Sequence, residues 1–378
     1  MNQGLMQGTA ALLLGAAVLV RPKAAALGFG EGLQLCAGSL LPALFPFFVV
    51  CELLSASPLC RWLGVPFRPL TKWLGLGTQE SGSVLLLSWL GGYAVCARLA
   101  AGLRERGILS RREATLLLVL GCCSGPGFVV GCVGGQLLGS VPLGVFLYLL
   151  QILSNLLVTV LLARIWCEDR DAFERGRATS FHESITLPQA IGRAVDSSMT
   201  VCGCVVFFRI LYRLAESLLS SQGSGALLSF LSGCLEISAG CADFAQQGSL
   251  TGICFCLSIL SLSVFAQLAA LLDGCVSLKM LGISRILHLA VMQVLFRLSV
   301  RLVPGSMAVF SSLAPRVIVI RREQPDTVLA IFFFLCAALF QLYKLCRSFY
   351  NKDKSLSVQS MKLMKNRAGL PGFRGRNL

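Results

Sequence analysis

The sequence predicts an all-α polytopic membrane protein with about eight transmembrane helices and two re-entrant helical hairpins in an inverted repeat. Three observations lead to this prediction. Hydrophobic residues make up 55% of the 378 residues and charged residues only 13%, whereas soluble domains carry about 25% charged residues. Long apolar stretches recur along the chain, and two glycine-broken segments resemble each other.

Eight stretches have the roughly 20 mostly apolar residues that a bilayer-spanning helix needs. They are residues 3–20, 34–54, 114–137, 141–164, 195–219, 248–272, 280–300 and 326–346. The first stretch has no charged start and no small-residue cleavage site, so we interpret it as a retained span and not as a cleaved signal peptide.

The net charge of +15 lies mainly in the loops and the tail. The segments concerned are a basic amphipathic stretch at 60–73, an Arg-rich loop at 104–113, a mixed-charge loop at 164–189 and the tail after Arg347. Such basic segments are typical of the cytoplasmic side of a membrane. No basic and aromatic stripe resembles a nucleic-acid module, so the bilayer is the expected partner and nucleic acid is not.

Residues for covalent or metal chemistry are scarce. Most of the 17 cysteines sit in apolar stretches, where they act as small hydrophobes, and none has C-x-x-C spacing. The chain has only two histidines, His182 and His288, and no Ser-His-Asp arrangement or P-loop. We therefore predict no enzyme activity, no catalytic residue, no metal site and no cofactor.

An internal repeat is the most informative feature, because repeated units in transporters place the substrate at their interface. Residues 87–92 (LSWLGG) match residues 228–233 (LSFLSG), and each segment is followed by a Cys-Ala-charged triplet, Cys96-Ala-Arg98 or Cys241-Ala-Asp243. An aromatic pair precedes each segment, at 47–48 and at 207–208.

Each repeated segment has an apolar stretch, a glycine-containing break and a second short helix, the pattern of a re-entrant hairpin. Basic residues flank the first hairpin on both sides, so both of its ends face the cytoplasm. Each repeat then has an odd number of crossings, which inverts the second copy. This topology places five arginines outside, against the positive-inside rule: Arg297, Arg301, Arg316, Arg321 and Arg322. A further re-entrant or interfacial piece at 303–320 would resolve this conflict, and the C-terminal topology stays open.

These features divide the chain into six parts. They are an N-terminal transmembrane helix and linker (1–33), the first repeat (34–164), a charged cytoplasmic loop (165–190), the second repeat (191–302), a C-terminal membrane segment (303–346) and a basic tail (347–378).

Five segments carry a resemblance to a known family: residues 44–53 (LFPFFVVCEL), 91–99 (GGYAVCARL), 107–113 (GILSRRE), 123–128 (CSGPGF) and 260–267 (LSLSVFAQ). Over about residues 35–300 the chain resembles the YlbJ/SpoVV family of sporulation integral membrane proteins. These belong to the wider group with nucleoside-recognition, or Gate, repeats, which are similar to concentrative nucleoside transporters and to the membrane part of ferrous iron transporters.

The resemblance implies a function. It points to an endospore-forming bacterium, to expression in the mother cell, and to passage of dipicolinic acid across the outer forespore membrane. Two departures bear on the substrate more than on the fold. Residues 92–94 read Gly-Tyr-Ala where the family pattern is Gly-Tyr-Pro, and residues 122–124 read Cys-Cys-Ser where asparagines are expected.

The predicted substrate is thus a small anion, and half-helix N-termini would bind its carboxylates through free backbone N–H groups. Glycines would let the backbone approach the ligand, and polar side chains would orient it. The predicted binding residues are Gly91, Gly92, Tyr93, Ser124, Gly125, Gly127, Gly233, Glu236, Ser261, Ser263 and Gln267. The alternative for any one glycine or serine is ordinary helix packing.

Charged residues inside the membrane segments each raise a functional question. Glu236 either titrates and couples transport to protons or pairs with a buried cation such as Arg209 or Arg213. Glu52 and Arg98 lie near predicted span ends, where we expect them to reach toward the interface. Asp196 is expected to cap a helix start.

Two other functions stay open. The protein would be a membrane scaffold for spore maturation if its repeats no longer transport, and the Cys122-Cys123 pair favours that reading slightly. It would be a transporter of a nucleoside-like neutral solute if ligand carboxylates are unimportant. A homo-oligomer is also left open.

Overall fold

A computed structural model describes residues 3–302 except residues 77, 79, 167–184, 220–224 and 273. The span predicted at 326–346 and the segments at 303–346 and 347–378 lie outside these residues, as does most of the charged loop. All regular secondary structure in the described residues is helical.

Nine α-helices precede the charged loop: α1 (Gln3–Val20), α2 (Pro22–Leu35), α3 (Leu41–Ser55), α4 (Leu59–Leu63), α5 (Arg68–Trp73), α6 (Ser81–Gly91), α7 (Tyr93–Glu105), α8 (Arg111–Gly121) and α9 (Val141–Ile165). A π-helical turn, Cys36–Leu40, joins α2 to α3, and a 3₁₀ turn, Val65–Phe67, joins α4 to α5. A longer π-helical segment, Gly127–Leu137, follows α8.

Six described α-helices follow the loop: α10 (Leu187–Leu219), α11 (Gly225–Leu235), α12 (Ile237–Gln246), α13 (Leu250–Ser258), α14 (Leu262–Leu272) and α15 (Leu278–Leu302). Each half therefore has the same order of elements. A long helix comes first, then a helical hairpin with a break, then a second broken helix, then another long helix. This order fits the predicted repeat, whereas the inverted orientation and the re-entrant course relative to a bilayer remain predictions.

Within the described residues, five helical stretches are long and apolar enough to cross a membrane: Pro22–Ser55, Val141–Ile165, Leu187–Leu218, Leu250–Ala269 and Leu278–Arg301. The prediction for residues 3–20 corresponds to α1, whose apolar part, Gln7–Val20, is shorter. The single span predicted at 114–137 is divided. Helix α8 ends at Gly121, and Pro126 precedes the π-helical segment. Proline has no N–H to donate, so the α8 hydrogen-bond ladder does not continue through it.

Packing joins the two halves. The first long stretch runs along α10, and α9 lies against α15. Helix α14 contacts α7, and the segment Gly127–Leu137 contacts α12. The second limb of each hairpin is thus contacted by the broken helix of the other half. This arrangement brings the helix breaks into the interior.

Glycines allow the closest of these contacts, as is usual between helices in membranes. A Cβ placed on Gly28 would lie 2.8 Å from the carbonyl oxygen of Arg209, and one on Gly32 would lie 2.8 Å from the Cα of Val206. Helices α2 and α10 therefore meet backbone to backbone.

The segment from α4 to α5 has an amphipathic character, as its sequence predicts. Trp62 and Trp73 are exposed beside Arg61 and Lys72, a combination typical of the membrane interface. The segment also packs inward, because the Phe67 ring makes an edge contact with Trp89 at 5.4 Å between centroids. It therefore joins the surface to the first limb of the first hairpin.

Candidate functional site

The first hairpin breaks at Gly92, between α6 and α7. Its φ of 77° is a conformation that glycine adopts at little cost. Space is short as well, since a Cβ on Gly92 would lie 3.0 Å from the backbone nitrogen of Gly125. The hairpin break is therefore in contact with the break that follows α8.

Ser124 lies in that second break, and its hydroxyl donates to the Tyr93 hydroxyl oxygen at 2.9 Å. Ser124 and the neighbouring glycines are buried, whereas Tyr93 is partly exposed. Five of the predicted binding residues thus come together at one place. They are Gly91, Gly92, Tyr93, Ser124 and Gly125.

Gln151 of α9 connects this group to the second half of the chain. Its Nε2 lies 3.5 Å from the Tyr93 hydroxyl oxygen and donates to the carbonyl oxygen of Leu257 at 2.8 Å. Leu257 is at the end of α13, just before the break that contains Ser261. His288 of α15 lies beside it, with Nε2 3.3 Å from the Gln151 carbonyl oxygen. Among the described residues, the buried Gln151 Oε1 and His288 Nδ1 have no hydrogen-bond partner.

Arg285 places a positive charge in this interior. The residue is 5% exposed, and its Nη1 donates to the carbonyl oxygen of Cys122 at 3.0 Å. Its Nη2 donates to Asn155 Oδ1 at 3.0 Å and to the Val119 carbonyl oxygen at 3.4 Å. The guanidinium thus satisfies carbonyl groups that the end of α8 leaves without helical partners, where a cation also fits the helix dipole.

No carboxylate of the described residues forms an ion pair with Arg285. Buried charges are normally paired, because an isolated charge is costly away from water. Here the partners are neutral carbonyl and amide oxygens, so the positive charge remains uncompensated. An anion brought to this region would lower that cost.

The helix N-termini at the breaks differ between the two halves. At α7 and at the segment Gly127–Leu137 no side chain accepts a hydrogen bond from the first turn. In the second half, the Glu236 carboxylate accepts from the Ala239 nitrogen at 2.7 Å, and Ser261 Oγ accepts from the Val264 nitrogen at 3.4 Å. Side chains therefore occupy the second-half N-termini. In the first half the N-terminus of α7 has no such cap and is open to an anion, whereas the Phe128 and Val129 nitrogens both donate to the Gly125 carbonyl oxygen at 3.0 Å.

The predicted second-half residues form a separate group. Ser263 and Gln267 of α14 are joined by a hydrogen bond of 3.3 Å from Gln267 Nε2. Cys204 of α10 interacts with both side chains. Among the described residues, no hydrogen bond joins Ser263, Gln267 or Glu236 to the group around Tyr93 and Ser124. The structure thus places the predicted residues in two clusters.

Gly127 and Gly233 have surroundings that fit the packing alternative. A Cβ on Gly127 would lie 2.8 Å from the Phe47 ring, and one on Gly233 would lie 2.7 Å from Cys256 Sγ. Gly233 also faces Gly240, which lies on the other limb of the second hairpin. These two glycines allow close approach of helices.

The chain is 28% identical over 305 residues to sporulation integral membrane protein YlbJ of Bacillus subtilis (strain 168). The alignment covers 69% of this chain and 74% of the relative. This similarity agrees with the resemblance to the YlbJ family seen in the sequence. No family model matches it, and no solved structure matches it significantly.

Two predictions about charged residues of this chain, those for Glu52 and Asp196, need correction, and one of the two alternatives for Glu236 does not apply. Glu236 pairs with neither arginine. Glu52 does not reach the interface, because it is buried and its Oε1 accepts from Arg98 Nη2 at 2.7 Å. Asp196 does not cap a helix start, since α10 begins at Leu187 and contains Asp196 in its interior.

Arg209 and Arg213 have other partners. Arg209 donates to Asp243 and Glu31, while Arg213 donates to Glu31 and Glu216. These carboxylates lie within reach of the α10 arginines, so Glu236 is left to cap α12. Pairing with an arginine therefore does not apply to Glu236, and coupling to protons stays a prediction.

Sequence reasoning missed four buried polar residues that hold this site together. They are Gln151, Asn155, Arg285 and His288. A signal was present, because amide and charged side chains inside apolar stretches are costly in a membrane unless they have a role. That signal was not used, because the stretches that contain these residues were interpreted only as apolar spans.

Proposed function

We propose that the protein is a membrane transporter of a small anionic metabolite, whose binding site lies at the first-half helix breaks. The observation that carries this proposal is the buried Arg285 guanidinium, which has no carboxylate partner among the described residues. A transporter for a neutral solute would have no need of that uncompensated charge.

Backbone and hydroxyl groups support the same assignment. The open N-terminus after Gly92 presents free N–H groups, and the hydroxyls of Tyr93 and Ser124 lie beside it. Arg285 donates to the carbonyl oxygen of Cys122, two residues before Ser124, so its positive charge lies close to this group. Donors and positive potential directed at one place are what a carboxylate requires.

For the substrate we propose dipicolinic acid, carried across the outer forespore membrane during sporulation. Two points support this choice. The relative is named as a sporulation integral membrane protein, and the family resemblance implies dipicolinate passage. Dipicolinate is a planar aromatic dianion, which suits a site that combines a buried guanidinium with hydroxyl donors and an aromatic ring.

Uptake of labelled dipicolinate into liposomes that contain the purified full-length protein tests the proposal. We expect saturable uptake, and we expect Arg285→Gln to abolish it. The matched control is Arg297→Gln, which removes an exposed arginine from the same helix and should leave uptake unchanged.

A second ligand separates the competing functions. The neutral diamide of dipicolinic acid keeps the ring but lacks carboxylates, so it should compete at least tenfold more weakly. Equal competition by the diamide would overturn the anion assignment in favour of a neutral solute. Absence of saturable uptake of either compound, with folded protein in the liposomes, would favour the scaffold function.

A further inference from the structure

The two Cys-Ala-charged triplets of the repeat lie at equivalent places in the structure. Arg98 lies on α7, the second limb of the first hairpin, and Asp243 lies on α12, the second limb of the second hairpin. One triplet ends in a cation and the other in an anion. Their charges are opposite although their positions in the repeat agree.

Arg98 contacts the long helical stretch of its own half. Its Nη2 lies 2.7 Å from Glu52 Oε1, near the end of α3. The Glu52 side chain is 8% exposed, and Arg193 Nη1 lies 3.8 Å from its second oxygen. The pair thus forms where one partner is removed from water, which makes it stronger than a fully exposed ion pair.

Asp243 contacts the long helix of the second half. Its two oxygens accept from Arg209 Nη1 at 2.9 Å and from Nη2 at 3.3 Å, a two-pronged geometry that fixes direction as well as distance. Arg209 also donates to Ser232 Oγ on α11 at 3.1 Å and to Glu31 Oε2 on α2 at 2.9 Å. One arginine therefore holds both limbs of the second hairpin to the α2–α10 pair.

The two anchors also lie shortly after the aromatic pairs of the repeat. Glu52 follows the pair at 47–48 by one turn, and Arg209 directly follows the pair at 207–208. Each hairpin is thus tied to the helix that follows its own aromatic pair. Because the charges are reversed, Arg98 would be repelled by Arg209, and Asp243 would be repelled by Glu52.

We infer that the Glu52–Arg98 and Arg209–Asp243 ion pairs are positioning pairs, which hold each hairpin against the long helix of its own half with opposite polarity. This inference deepens the proposed function and rests on it, because the first hairpin carries Gly92 and Tyr93. The pairs contact no ligand themselves. They act by fixing the hairpin limb that begins at the break.

Two native cysteines allow a test that requires no substrate. Cys96 and Cys241 are fully buried, and each lies two residues before the charged residue of its triplet. The full-length protein in native membranes is treated with a membrane-permeant maleimide, and the labelling rate of each cysteine is followed by mass spectrometry. We expect Arg98→Gln to raise labelling of Cys96 at least tenfold and to leave Cys241 unchanged. Asp243→Asn should do the reverse.

Charge exchange then separates an electrostatic role from a steric one. The exchange is made in an Arg193→Gln background, because Arg193 lies 3.8 Å from Glu52 and would repel an arginine there. In that background Glu52→Arg with Arg98→Glu should restore protection of Cys96, whereas Glu52→Arg alone should not. Arg297→Gln serves as the control and should change neither rate. The inference is overturned if Arg98→Gln leaves Cys96 protected, if it exposes both cysteines together, or if the exchange fails to restore protection.

The uptake experiment tests the proposed function, and the labelling experiment tests the positioning pairs, so either result can be negative without the other. If wild-type liposomes do not take up dipicolinate, the proposed function fails while the labelling pattern still stands or falls by itself. If uptake is normal and the labelling pattern is absent, only the positioning pairs are wrong. When both hold, breaking the first pair should raise the KM for uptake at least fivefold, and the charge exchange should reverse that increase.

Discussion

Arg285 and Asn155 meet in the interior, where the guanidinium donates to the amide oxygen at 3.0 Å. The other end of the same amide donates to the Cys122 carbonyl oxygen at 3.0 Å, and Arg285 donates to that oxygen too. The three groups form a closed set in which each fixes the direction of the others. A helix end, an amide and a cation thereby become one rigid unit beside the helix breaks.

Removal of the cation from this unit should destabilise the fold. Arg285→Met removes the donor from the Asn155 oxygen and from the Val119 carbonyl oxygen, while the Cys122 carbonyl oxygen keeps the Asn155 amide as its donor. Each unsatisfied buried group costs about 1–3 kcal/mol, so we expect a loss of at least about 2 kcal/mol. The measurement is chemical unfolding in detergent, with Arg297→Met as the exposed control. Equal stability of the two variants would contradict this account of Arg285.

Tyr93 should matter for the ligand more than for the fold. Tyr93→Phe removes one hydroxyl that bonds to Ser124, and a hydrogen bond of this kind contributes about 0.5–1.5 kcal/mol to stability. Dipicolinate binding to the purified protein, measured by calorimetry, should weaken about tenfold, which corresponds to about 1.4 kcal/mol. Tyr212→Phe on α10 is the matched control, and its affinity should equal that of the wild type. If dipicolinate affinity falls equally in both variants, the loss does not reflect a contact between Tyr93 and the ligand.

Alanine substitutions at two glycines of α2 should have opposite effects on stability. Gly32→Ala forces a Cβ against the Val206 backbone and should cost about 1–3 kcal/mol, as overpacking does. Gly30 has open space around it, so Gly30→Ala should be neutral or stabilise by up to about 1 kcal/mol through helix propensity. Thermal unfolding of both variants in one detergent gives the comparison. A loss of similar size at both positions would mean that α2 and α10 do not meet as described.

The start of α8 depends on a capping box. Ser110 Oγ accepts from the Glu113 nitrogen at 3.1 Å, and the Ser110 nitrogen donates to Glu113 Oε2 at 2.8 Å. Ser110→Ala should destabilise the protein by about 1 kcal/mol. Ser197→Ala, in the interior of α10, is the control and should lie within about 0.5 kcal/mol of the wild type. If Ser110→Ala and Ser197→Ala lower the free energy of unfolding equally, the capping box does not contribute to stability.

The hairpin breaks were only partly predictable from the sequence. Gly92 adopts a positive φ, so glycine marks the first break directly. The second break falls at Glu236, three residues beyond the predicted Gly233, with an extended φ of −149° that any residue adopts. What this break requires is an acceptor for the Ala239 nitrogen, and a carboxylate supplies it. Glycine was therefore the wrong marker in the second half.

Other errors arise from local reading of the chain. Asp196 was expected to cap a helix start because the apolar stretch was taken to begin at residue 195. Gln189 Oε1 instead accepts from the Thr186 nitrogen at 2.9 Å and helps α10 to begin near residue 187. The unbroken span at 114–137 ignored Pro126, which was a visible breaker. The role of Arg285 could not be read in this way, because its partners Cys122 and Asn155 are more than 100 residues away and no periodicity joins them.

The unequal capping of the helix breaks has an evolutionary consequence. If the halves descend from one duplicated ancestor, their four N-termini were once equivalent. Glu236 and Ser261 now close the second-half pair with side chains of the protein itself, while the N-terminus of α7 in the first half carries no such cap. If the proposed anion site is correct, divergence has assigned reception of the ligand to the first copy and mechanical support to the second.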